Sequence, residues 1–186
     1  MGLEATFSLL VARLQAMQEV LTSLYTTVVE DRPLDGPPPP ATPALVDILG
    51  SAVEDLIGWT MEATAEAQQA YAGIQTGDLE LARRTLASCH RANSQILHGL
   101  VGDLLDYDRL ADLAHVGRTR GREWHGWATM VKQAIDSCRQ PLFDLQQAEI
   151  VCWQDLTEHG RRQSISVHAT GIGQQGTQSE PQYSPS

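Results

Sequence analysis

Two histidines, His90 and His98, are the residues of this chain whose type and spacing come closest to a reactive arrangement. They lie eight residues apart in one apolar-striped segment, so their rings stand about 80° apart around a helix advancing about 100° per residue. An imidazole held midway along a helix can accept a phosphoryl group or pass a proton. Gly99 and Gly102 follow His98, and small residues there would leave room around its ring. The simpler reading, two ordinary surface or boundary histidines, is preferred because no nucleotide site accompanies them.

Other reactive constellations are missing. A di-iron enzyme built in a helical bundle needs Glu-x-x-His on two helices, and this sequence contains no such tetrapeptide. His-Glu-x-x-His, a P-loop, Gly-x-Ser-x-Gly and His-x-x-x-His are absent as well. No metal and no cofactor is therefore expected. Cys89, Cys138 and Cys152 form no Cys-x-x-Cys pair, and their odd number fits neither a disulfide framework nor a zinc site. Each falls on an apolar stripe, where a thiol serves as a small buried hydrophobe. Reduced thiols place the expected compartment in the cytoplasm. Asp103, Asp106, Asp108 and Asp112 cluster without a glycine-centred loop to shape a cation site, and read as a solvated face.

The run Ser88-Cys89-His90-Arg91-Ala92-Asn93 resembles the dimerisation helix of histidine kinases. That resemblance implies a phosphorelay element using His90 or His98. It covers six residues and departs from the spacing of the phosphotransfer motif.

The elements that would position these groups are four long segments. Leu3, Phe7, Leu10, Leu14, Met17, Leu21, Leu24 and Val28 alternate steps of four and three across residues 3–30. Val11, Val20 and Tyr25 broaden the stripe, which suits a bundle helix better than the narrow seam of a two-stranded coiled coil. Residues 44–75 repeat the pattern, bulky at first and alanine-rich later, so a neighbour can approach closely. Thr76-Gly77-Asp78 supplies a left-handed stop and an N-cap for the next helix. The third segment, 78–116, runs from Leu79 to Ala114 and is ended by Gly117. Asn93 lies inside its stripe, and a buried amide must find partners or cost about 1–3 kcal/mol. The fourth, 119–159, carries Trp124, Ala128, Val131, Ile135, Cys138, Leu142, Leu145, Glu149, Cys152 and Leu156 on one face, with Pro141 expected to kink or divide it.

The fold expected is all-α: one antiparallel four-helix bundle over residues 1–160, with a proline-rich linker at 31–43 between helices 1 and 2. Pro37 to Pro40 should form a stiff polyproline II spacer. Helix 1, tethered by that spacer, is the piece whose docking is least determined. Residues 161–186 read as a flexible tail, with a short strand at 163–170 where polar and apolar residues alternate.

Net charge is −10, and no Lys or Arg occurs between Arg32 and Arg83. Such a surface repels phosphate backbones, which argues against nucleic-acid binding. The acidic second helix is expected to face the basic start of the third, at Arg83 and Arg84. No apolar run reaches the length of a membrane span, so no membrane partner is expected. Arg outnumbers Lys twelve to one and Ala is abundant, a composition that points to a bacterial source. These features together imply a non-enzymatic cytoplasmic module for protein–protein interaction or oligomerisation. Trp59 and Trp127, at the stripe edges, and Ile165 and Val167, in the tail, are the candidate partner-binding residues.

Overall fold

The computed structural model describes residues 2–33, 42–119 and 121–172. The described residues form six α-helices: α1 (Leu3–Tyr25), α2 (Thr42–Thr76), α3 (Leu79–Gly99), α4 (Tyr107–Thr119), α5 (Arg122–Ser137) and α6 (Arg139–Ile172). The regular stripe of the first segment does what its spacing dictates. Phe7, Leu10, Leu14, Met17, Leu21 and Leu24 are all fully buried, on a helix packed within its own chain against α2 and α6. Helix 1 is thus an integral member of the bundle.

α1, α2, α3 and the α5–α6 pair run alternately up and down. Near the end of α1, the Tyr25 hydroxyl donates to Glu54 in the first half of α2 at 2.8 Å. α2 and α3 make the most intimate contact in the molecule. A Cβ on Gly73 would stand 3.0 Å from the backbone nitrogen of Ala82, and Ala63, Ala67 and Ala70 of the same helix are fully buried. Between the two helices Gly77 adopts φ +77°, and the Asp78 carboxylate accepts the Leu81 N–H at 2.9 Å, as the turn chemistry requires. Closing the bundle, α6 lies antiparallel to α1, with Arg13 paired to Asp144 at 3.2 Å and the Thr6 hydroxyl donating to Asp155 at 2.6 Å.

Both α1 and α3 end in a π-helical turn, at Thr26–Glu30 and Leu100–Leu104. The second of these corrects the expectation of one unbroken third helix. The Leu105 N–H reaches back five residues to the Leu100 carbonyl at 2.9 Å, the helix stops, and α4 starts afresh at Tyr107. An extra residue in the turn shifts the phase of everything after it. Leu113 and Val116 are therefore buried while Ala111 and Ala114, on the extrapolated stripe, are exposed. Gly117 lies inside α4, and it is Gly121, at φ +95°, that precedes α5.

Pro141 divides the fourth segment as expected. α5 ends at Ser137, Cys138 bridges, and Pro141 sits in the first turn of α6, where its missing N–H costs no intrahelical bond. All ten stripe residues from Trp124 to Leu156 are buried. The strand expected at 163–170 is absent: α6 runs on through Ile172. Extending an existing helix requires no new nucleus, and an isolated strand has no partner for its backbone groups. Pro37 to Pro40 and residues 173–186 lie outside the described residues. Acidic α2 does pack against α3 as expected, but among the described residues no ion pair joins them.

Candidate functional site

A polar seam runs through the interior where α3 faces α6. Asn93 and Glu149 are both buried, and the Asn93 amide donates to the Glu149 carboxylate at 2.8 Å. The other carboxylate oxygen meets Nδ1 of His90 at 2.5 Å. His90 itself is 61% exposed, so it forms a lid over the buried carboxylate and one face of the imidazole is left to solvent. The Asn93 nitrogen also approaches the Cys89 sulfur at 3.7 Å, whereas its Oδ1 has no hydrogen-bond partner among the described residues. A buried carboxylate with two nitrogen donors is the arrangement that specifies register between two helices, because sliding either helix would strand the charge. Glu149 was visible only as a polar interruption of an apolar stripe; Asn93 was the clearer signal, and its required partner is this carboxylate.

His98 is exposed on α3 and is not joined to this seam. The space beside it is already taken. A Cβ on Gly99 would stand 2.9 Å from the Trp59 ring of α2, so that glycine admits a tryptophan and gives no access to His98. Gly102 by contrast has open space around it.

The three cysteines lie within the core. Burial pushes the Cys138 thiol up to about 11 and, with nearby Asp155 and Glu149 adding to the effect, the Cys152 thiol up to about 12. Burial raises Cys89 further still, Glu149 contributing after it. Neutral, covered thiols are poor nucleophiles. At pH 8 a disulfide reagent such as dithionitrobenzoate should modify almost none of the three in the native protein and all three in guanidinium; a fast stoichiometric reaction of the native chain would contradict this placement.

The four candidate partner-binding residues separate. Trp127 is 1% exposed and therefore cannot present itself to a partner in this fold. Its indole N–H donates to the Thr27 carbonyl at 3.0 Å, and its ring meets that of Trp124 edge-on with centroids 5.4 Å apart. The π-helical turn of α1 creates that acceptor: the Asp31 N–H, which a regular helix would give to Thr27, goes to Thr26 at 3.0 Å. Trp59 is half-buried against the core beside Gly99. Ile165 and Val167 fall on the last turns of α6, and their side chains lie outside the described residues.

The surface feature that the sequence reading missed is the outward face of α6. Phe143 and Ile150 are seven residues apart, hence on one face, and are 55% and 48% exposed. Gln147 and Gln154 share that face and are exposed, with Gln146, Trp153 and Thr157 along its edge. No charged residue interrupts it between Gln140 and Thr157, because Asp144 and Asp155 turn toward α1 and Glu149 turns inward to α3. No grouping of three or more histidine, cysteine or carboxylate side chains suited to a metal ion occurs among the described residues, and none of the described helices is long and apolar enough to cross a membrane.

No family model, no curated protein and no solved structure matches the chain.

Proposed function

We propose that this protein is a cytoplasmic, non-enzymatic interaction module whose partner at the α6 face is a second copy of itself. The observation that carries the reading is the charge-free outward face of α6, centred on exposed Phe143 and Ile150. A chain of net charge −10 repels its own copies across most of its surface. Two copies meeting at this face bring no carboxylates together. The spacing is also self-complementary. In an antiparallel helix pair Phe143 of one copy opposes Ile150 of the other, and the two-fold axis passes between Gln146 and Gln147, whose amides can bond across it. Large aliphatic and aromatic side chains flanked by uncharged polar ones make the usual core of such an interface.

Size-exclusion chromatography with light scattering on the full chain checks this. A dimer is expected at tens of micromolar protein, whereas F143E and I150E should run as monomers with unchanged helical circular dichroism, since both side chains are already exposed. A wild-type chain that stays monomeric across that concentration range would sink the reading, as would a dimer that survives both substitutions.

A further inference from the structure

α4 is the helix least enclosed by the rest of the molecule, packing chiefly on α5 and on the π-helical turn before it. A groove of about 350 Å³ lies between α4 and α5, within the size range of small-molecule sites. Leu110, Leu113 and Ala128 make its apolar floor. Arg118 and His125 stand at the end where the hairpin turns, and Lys132, the chain's one lysine, stands at the other. His125 and Lys132 are two helical turns apart on α5, about 10 Å at about 1.5 Å per residue. Among the described residues no carboxylate lines the groove. That is the reverse of the chain at large, in which acidic residues outnumber Lys and Arg by 23 to 13.

An apolar trough with a cation at each end selects an apolar chain with an anion at each end. We propose that the α4–α5 groove binds a linear medium-chain dicarboxylate, with its methylenes on Leu110, Leu113 and Ala128 and its carboxylates at Arg118 and Lys132. Guanidinium and ammonium groups hold carboxylates through charge-assisted hydrogen bonds, stronger than those between neutral partners. The methylenes add the apolar burial that a short dianion such as succinate lacks. The groove is lined by α4 and α5 and includes no residue of the α6 face, so it stands or falls separately from dimerisation.

Isothermal titration calorimetry of the full chain with sebacate, decanoate and decane-1,10-diol tests the proposal. Sebacate should bind at one site per chain and at least tenfold more tightly than decanoate, with affinity falling as sodium chloride is raised; the diol should give no saturable heat. Lys132→Glu and Arg118→Glu, both at exposed positions, should each weaken sebacate at least tenfold while leaving helical circular dichroism and the oligomeric state as in wild type. The proposal is overturned if sebacate gives no saturable binding, if decanoate or the diol matches it, or if both variants bind as wild type does. Loss of a dimer in Lys132→Glu without sebacate binding to wild type would assign the groove to a second copy and overturn it equally.

Discussion

Trp127→Ala should destabilise the protein by about 3–5 kcal/mol, the range for removing a large buried aromatic side chain. The ring is almost entirely covered where α5 meets the end of α1, and its edge-on contact with Trp124 is lost with it. A second cost adds to the cavity. The Thr27 carbonyl, already deprived of its helical partner, loses the indole N–H that satisfies it. Trp127→Phe keeps a six-membered ring but removes the indole N–H together with part of the bicycle; about 1–3 kcal/mol is expected for these losses together, less than for alanine. Urea unfolding followed by circular dichroism measures both. A loss below about 0.5 kcal/mol for the alanine variant, within the range of ordinary surface changes, would mean that this tryptophan is not the seal between α1 and α5. The distinction bears on function, since an exposed anchor would reduce binding without reducing stability.

Most of the fold was legible because its stripes are regular. α1, α2, the first half of the third segment and the whole of the fourth bury most of the residues that their three-and-four spacing selects, with Leu3, Ala52, Ile74 and Leu79 half-buried, and Gly77-Asp78 marks its turn by side-chain chemistry alone. The failures share a physical cause. Hydrophobic spacing records the phase of a helix but not a single inserted residue, so the π-helical turn at Leu100–Leu104 passed unnoticed and the stripe was carried into Ala111 and Ala114 instead of Leu113 and Val116. Alternation at Gln163–Thr170 was read as strand because periodicity is local, while the helix there is inherited from α6 before it.

The candidate sites were harder to see for a different reason. Asn93 announced itself as a polar residue in an apolar stripe, but which of many carboxylates would meet it depends on how α3 and α6 are paired, and that is a property of the whole bundle. The α6 face is defined by an absence of charge once its two flanks are known to be occupied by α1 and α3. Phe143 and Ile150 look like stray hydrophobes until the helix is oriented. Trp127 shows the converse, since its place at a stripe edge is compatible with exposure and only the end of α1 covers it.

The Asn93–Glu149 pair should behave as one unit under substitution. Asn93→Leu removes a donor from a buried carboxylate and leaves it with His90 alone, a loss of about 1.5–3 kcal/mol, the range for a hydrogen bond to a charged group. Glu149→Leu relieves the buried charge but strands the Asn93 amide, whose Oδ1 already has no partner among the described residues; about 1–3 kcal/mol is expected. Replacing both with leucine strands nothing, because His90 is largely in water and can hydrogen-bond to it. The double variant should therefore unfold close to the wild-type midpoint or above it, as buried polar pairs replaced by apolar side chains of similar size often do. The sum of the single losses would then exceed the loss in the double by about 2 kcal/mol or more, within the range for residues that share a contact. Urea denaturation of the four proteins gives the cycle, and strictly additive losses would show that the two side chains do not depend on each other. What the double variant should lose is specificity. With no charge to strand, α3 and α6 can slide past one another, and amide hydrogen exchange along α3 should be faster at unchanged global stability. If exchange there is as slow as in wild type, apolar packing alone fixes the register and the polar seam is not what aligns the two helices.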